Sequence, residues 1–253
     1  MGCTIMYYVD PVTGHIYAAN NEDYYFDVDA YVMINPAKPD RLAHLWYGWD
    51  DFGQGGVNQA GLFIDGAVTP KTEIDSKYKA HKGNFTEEIL ATCKTVNDVL
   101  RYFDEKNFGL SNAHVLIGDS TGRAVVVEWM GKDRIEHYIQ NGILVTTNFL
   151  LNDHDAGGYP CPRFESASNK LAALSTSDRP TTLLEFGNCI AGSVQPEANI
   201  NGNKGGTLYS TFIDITNMRM VLSYKLSNEN ILKLDLNEAF ASKKSRKIRL
   251  DKL

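Results

Sequence analysis

The chain has 253 residues, 43% of them hydrophobic and 22% charged, with a net charge of −6. That balance suits a soluble globular protein with a large buried core, and the acidic sign excludes the broad basic surface on which most nucleic-acid binders depend. No run approaches the roughly 18 apolar residues of a membrane helix, so neither a nucleic-acid partner nor a membrane span is expected.

The first segment, Thr4–Val9, is β-branched and aromatic, and Asp10-Pro11-Val12-Thr13-Gly14 supplies a turn. Residues 15–20 then read as a returning strand. If these two strands pair, the hairpin carries Asn20-Asn21-Glu22-Asp23 back beside Cys3. Further strands are predicted at residues 30–34, 42–48, 61–68, 114–119, 124–129, 135–139 and 142–147. Asn58 reads as the residue that fixes a turn at Gly55-Gly56.

Helical spacing predicts a short helix at 86–93 with Thr86 as its cap, and a second at 96–107 capped by Thr95. Helices over 162–174 and 181–186 follow. After a Gly/Asn-rich stretch at 199–206, strands resume at 207–213, 218–224 and 231–235. Gly205-Gly206 reads as a turn, since no phosphate-loop Gly-Lys-Ser/Thr follows. The basic run at 243–249 reads as a solvated tail. With no repeats or linkers, the whole is one domain over 1–253. Its expected fold class is α+β: two stacked antiparallel sheets with helices outside.

Four widely spaced cysteines without a C-x-x-C are no disulfide framework. A Cys161–Cys189 bridge stays open, and Cys93 reads as a buried helical thiol. The six histidines are scattered without ligand spacing, so no metal or other cofactor is expected. Cys3 is different because of where it lies. Cutting the bond before it would release an α-amine, unperturbed pKa about 7.7 to 8.0, within reach of its own thiol. One residue would then supply nucleophile and general base.

Taken alone, Cys3 is a small residue at a strand start, Asp23 a turn or cap residue, and Asn148 a strand-end turn residue. Their order with other segments changes that reading. The segments are Gly2-Cys3-Thr4; Ala19-Asn20-Asn21-Glu22-Asp23-Tyr24; Gly56-Val57-Asn58-Gln59-Ala60-Gly61-Leu62; Leu116-Ile117-Gly118-Asp119 running into Val127-Glu128-Trp129; and Val145-Thr146-Thr147-Asn148-Phe149. In this order they resemble the N-terminal-nucleophile amidohydrolases of the choloylglycine hydrolase and penicillin V acylase family, and the related acyltransferases acting on 6-aminopenicillanic acid.

The resemblance implies an αββα four-layer sandwich and removal of residues 1–2 on maturation. It also implies cleavage of a non-peptide linear amide of a small N-acyl compound through a thioester. Residue by residue, Cys3 matches the nucleophile, Asp23 the carboxylate that holds its amine, and Asn148 an oxyanion donor. Asn20, Asn21, Tyr25 and the Val68 backbone N–H stand as oxyanion or substrate-binding candidates. Tyr24, Tyr25 and Phe26 are either an acyl-pocket wall or core.

Three positions depart from the family pattern. Asn20 and Thr211 stand where arginines are common, and Val68 stands where bile salt hydrolases place a donor side chain. Without those guanidinium groups, conjugated bile salts and penicillin V are disfavoured substrates. Arg163 reads as an exposed arginine at a helix start. An acyltransferase outcome, or an inactive ligand-binding sandwich, stays open. So does a homo-oligomer, although the chain is shorter than the tetrameric bile salt hydrolases. An exported location after removal of a leader is favoured over a cytoplasmic one, because relatives include exported proteins.

Overall fold

The structure, a computed structural model, describes residues 2–79 and 81–253. It opens with the hairpin β1 (Thr4–Val9) and β2 (Ile16–Tyr25), followed by β3 (Tyr31–Asn35), β4 (His44–Trp49), β5 (Phe52–Asn58) and β6 (Phe63–Val68). Helices α1 (Phe85–Thr92) and α2 (Val96–Lys106) precede β7 (Ala113–Gly118), β8 (Ala124–Met130), β9 (Asp133–Tyr138) and β10 (Ile143–Thr146). Then come α3 (Pro162–Ser175), α4 (Leu183–Ile190), β11 (Ala198–Ile200), β12 (Asn203–Asp214), β13 (Arg219–Tyr224) and β14 (Ile231–Asp235). A short α5 (Leu236–Ala241) and β15 (Arg246–Arg249) complete the order.

The strands form two antiparallel sheets. One has the order β10-β1-β2-β12-β13-β14, with β11 on β12; the other runs β15-β3-β4-β5-β6-β7-β8-β9. Strand alternation sorts the side chains into layers. Ile5, Tyr7, Ala18, Leu208 and Ile213 of the first sheet meet Leu45, Tyr47, Val57, Phe63 and Val126 of the second in a central core. The alternate residues Met6, Tyr8, Tyr17 and Ala19 turn outward against Ala167, Leu171 and Phe186 of α3 and α4. On the far side, Trp46, Ile64, Val115 and Ile117 pack on Ile89, Leu90, Val99 and Phe103 of α1 and α2. Each buried Leu, Ile, Val, Met or Phe side chain among these stabilises the fold by about 1.5–3 kcal/mol. The result is the expected αββα sandwich.

Four local expectations are corrected. Gly55 and Gly56 lie within β5, paired to β4 and β6, and form no turn. A Cβ on Gly55 would stand 2.2 Å from Asp65 Oδ2, so this strand must be glycine there to let β6 present a buried carboxylate. Asn58 instead ties the β5–β6 connection to α1, donating to the carbonyls of Leu90 and Cys93 and accepting from the amides of Ala60 and Leu62. The α1 cap is Asn84, while Thr86 donates to the Gly53 carbonyl. The basic C-terminal run keeps its charges solvated, but its backbone is β15, paired to β3. Thr95 does form a capping box with Asp98 on α2.

Candidate active site

The hairpin register fixes the site. Ile5 pairs with Asn20 and Thr4 with Asn21; continued two residues back, Cys3 stands opposite Glu22 and Gly2 opposite Asp23. Period-two alternation then sends Asn20 and Glu22 to the inner face of the sheet, and Asn21 and Asp23 to the outer face.

On the inner face the Cys3 thiol donates to Glu22 Oε1 at 3.1 Å, and Cys3 is only 6% exposed. Asn20 Nδ2 bridges Glu22 Oε2 (3.3 Å) and Asp65 Oδ2 (2.8 Å). The Tyr47 hydroxyl donates to Asp65 Oδ2 at 2.6 Å, and Thr211 donates to Tyr47 at 3.5 Å. Burial dominates the electrostatics here. It pushes the Cys3 thiol well up, helped by the Glu22 charge. It lifts Glu22 to about 7 against the hydrogen bonds from Cys3 and Asn20, and raises Asp65 far above the usual carboxylate range.

On the outer face Asp23 accepts from the Thr207 hydroxyl at 2.6 Å. Burial raises Asp23 to about 6, while the Thr207 hydrogen bond, the Arg163 guanidinium and the Gly2 amide pull it back down. Arg163 is no exposed helix-start residue; its side chain is 19% exposed and lies across the Gly2–Cys3 peptide. Nη1 donates to the Gly2 carbonyl, to the Cys3 carbonyl at 2.6 Å and to Thr4 Oγ1 at 3.3 Å. Nη2 donates to Asn148 Oδ1 at 3.1 Å, and Asp23 Oδ2 lies 3.9 Å from Nη1. Asn148 Nδ2 in turn donates to the Val68 carbonyl at 2.7 Å. Val68 thus faces Asn148 with its carbonyl, and the residue itself is 64% exposed.

The remaining candidates lie apart. Asn21 donates to the Ile190 carbonyl and accepts from Ser210. It lines a cavity of about 590 Å³ with Leu183, Ile190, Phe212 and Val221, a lining that does not include Cys3. Tyr24 stacks on Trp49 with centroids 4.4 Å apart, which makes it core packing, and Tyr25 meets it edge-on. Cys161 and Cys189 are free thiols, which closes the disulfide question. No group of three metal-ligating side chains occurs among the described residues.

Two residues escaped the sequence reading. Glu22 was detectable by parity, since a strand that places Cys3 inward places its cross-strand partner inward too. Arg163 had no local signal, because only the docking of α3 on the first sheet brings it to Cys3.

The loop carrying Asn148 is held by a buried network. Glu128 accepts the Leu151 and Asn152 amides (2.8 and 3.0 Å) and contacts His114 Nδ1 and His137 Nε2. His114 Nε2 reaches the Thr147 carbonyl at 2.7 Å. These hydrogen bonds hold Glu128 far below the usual carboxylate range despite its burial. A depressed folded pKa contributes stability above the unfolded value of about 4.3 and loses it as pH falls towards the folded value. Glu128→Gln is therefore expected to cost about 3 kcal/mol at pH 7, as for a broken buried pair, and less at pH 3. Urea unfolding at both pH values checks this; an equal loss at the two would remove the charge from the account.

A family model described as acyl-coenzyme A:6-aminopenicillanic acid acyl-transferase matches residues 12–223. No curated protein matches the chain. Among solved structures, penicillin V acylase from Agrobacterium tumefaciens superposes with a TM-score of 0.73 at 18% identity, covering 96% of this chain and 90% of that one. A variant of conjugated bile acid hydrolase from Clostridium perfringens gives 0.75 at 14% identity, covering 97% and 96%. A second variant of that hydrolase gives 0.73 at 15% identity with the same coverage. At these identities the superpositions speak to the fold. The family match begins after Cys3, so the reading of that residue stands on its surroundings.

Proposed function

The chain belongs to the acyl-coenzyme A:6-aminopenicillanic acid acyl-transferase family, and from that membership we propose that it is a cysteine amidase whose nucleophile is Cys3, freed at its amino end. The solved relatives named as an acylase and a bile acid hydrolase support amide cleavage as the reaction class. The observation that carries the reading is one set of contacts. Arg163 joins Asn148 to the Gly2 and Cys3 carbonyls, and Asp23 sits beside the same peptide.

With Gly2 gone, the Cys3 amine takes the place of the Gly2 N–H that hydrogen-bonds Asp23, whose carboxylate then orients it and offsets its positive charge. The amine takes the thiol proton, and the sulfur attacks the amide carbonyl of an N-acyl substrate. Asn148 Nδ2 leaves the Val68 carbonyl and donates to the oxyanion, with the Val68 N–H as the second candidate donor. The amine then protonates the leaving nitrogen, and water hydrolyses the thioester.

Substrate preference follows from the cations missing on the inner face. Glu22 and Asp65 lie buried beneath the nucleophile, and Asn20 and Thr211 bring no cation to that side. An uncharged acyl group is therefore favoured over one bearing a carboxylate. The test uses chain freed at Cys3 by a site-specific protease and offered uncharged N-acyl amides of graded acyl length. Release of free amine with one acyl product per amine is the expected result; an inert freed chain would remove the proposal.

The family's description favours acyl transfer as the second outcome at the same thioester. Adding a second amine separates the two, because new amide formed faster than free acid would make the enzyme a transferase.

A further inference from the structure

We infer that the acyl group taken by Cys3 carries an ammonium beside its carbonyl, held on the inner face of the first sheet by Glu22, Asn20 and Tyr209. The substrate class is then an α-aminoacyl amide. The inference rests on Cys3 being the nucleophile of the proposed amidase, and it names the acyl class which that reading leaves open.

The cluster beneath the thiol is buried and acidic. Asn20, Tyr47, Asp65 and Tyr209 are fully buried, and Glu22 nearly so. The titratable groups that face Glu22 are Cys3 ahead of β1, Asp23 on its own strand, Asp65 on β6, Tyr47 on β4 and Tyr209 on β12. All are acids, and the Arg163 guanidinium lies on the other face beside Asp23. A buried carboxylate is stable only with a cation or several donors around it. Glu22 receives two donors, the Cys3 thiol and the Asn20 amide. An ionised carboxylate accepts at about four sites, so half of its capacity is unused.

Two more atoms of the cluster have unmet hydrogen-bonding capacity. Asn20 Oδ1 and the Tyr209 hydroxyl lack a hydrogen-bond partner although both side chains are buried. Asn20 is pinned by its own NH₂ group, which spans Glu22 and Asp65 at 3.3 and 2.8 Å. The Tyr209 ring packs edge-on against Tyr47 with centroids 5.6 Å apart. Burial, then the charges of Glu22 and Asp65, raise its hydroxyl well above the usual range. Orphaned buried polar atoms are rare and call for a partner. With Glu22 these two make three acceptors, the number of N–H groups that an ammonium donates.

Reach limits where the ammonium sits. The acyl carbon bonds to a sulfur that is already 3.1 Å from Glu22 Oε1, so a substituent on the α-carbon stands next to that oxygen. A neutral acyl group would leave the three acceptors unpaired, and a carboxylate would add a further buried acid, so ammonium ranks first and carboxylate last. Burial raises Glu22 to about 7, and an incoming cation favours its ionised form. Because kcat/KM reports the groups of the free enzyme, the preference for ammonium is expected to fade as pH drops below about 7.

The experiment offers chain freed at Cys3 by the external protease two p-nitroanilides of the same shape. One is alanyl; in the other, isobutyryl, a methyl group replaces the ammonium. At neutral pH, where the α-amine is still protonated (unperturbed pKa about 7.7 to 8.0), kcat/KM is expected to favour alanyl by about 10- to 100-fold. Acidification should shrink that ratio. Glu22→Gln should bring the ratio near unity and remove its pH dependence, and Tyr209→Phe should lower it severalfold. A general loss of activity in a variant cancels in the ratio. Wild type that cleaves isobutyryl as well as alanyl, or better, would overturn the inference even if neither variant folds, and leave the amidase reading intact. A Glu22→Gln chain with the wild-type ratio would overturn it too. A freed chain that cleaves neither compound removes the amidase reading and this inference with it.

Discussion

Cys3→Ala abolishes amide hydrolysis, lowering kcat/KM by about 10⁴-fold or more, because no other group can form the thioester. The measurement compares wild type and variant, both freed at position 3, on an uncharged N-acyl amide, with circular dichroism as the folding control. The variant loses the hydrogen bond from the thiol to Glu22 and the one from the Asp23 amide to the sulfur, about 1 kcal/mol each in a large fold. An inactive variant is thus expected to be a folded one. Wild type should also trap acyl on Cys3 as a thioester of added mass, which hydroxylamine removes. A Cys3→Ala chain retaining even a tenth of wild-type activity would end the nucleophile assignment.

Asn148→Ala lowers kcat by about 10²- to 10³-fold, or about 2.7–4 kcal/mol, with little change in KM. Most of the loss falls on kcat because the amide is needed only once charge develops on the substrate oxygen. Asn148 has a second task, since its Oδ1 accepts from Arg163 Nη2 at 3.1 Å. Asn148→Asp separates the two. It keeps an acceptor for Arg163 and removes the NH₂ donor, so it is expected to be as slow as the alanine variant. An aspartate variant with near-wild-type kcat would show that Asn148 serves to hold Arg163, and the oxyanion role would pass elsewhere.

Glu22, Arg163 and Gly55 show how unevenly the site is written in the chain. The fold class, the first hairpin and the four main helices are legible, because each rests on local signals: strand alternation, a Thr95 cap, a proline at a helix start. The strand β5 was not, since glycines read as a turn when their neighbours are unknown. It is the close approach of Asp65 that demands Gly55. The C-terminal strand β15 was hidden by its charges, which remain solvated while the backbone pairs with β3.

By itself, then, the sequence determined the layers of this protein and which residue types could do chemistry, because period, capping and turn preference act over a few residues at a time. Only the tertiary structure decided their neighbours. The hairpin register gave Cys3 a buried glutamate on one face and left Asp23 on the other. The docking of α3 carried Arg163 onto a peptide 160 residues away. A pKa, an oxyanion donor and a base are all properties of neighbours, and burial sets their strength, so none of them exists in the chain until the two sheets close.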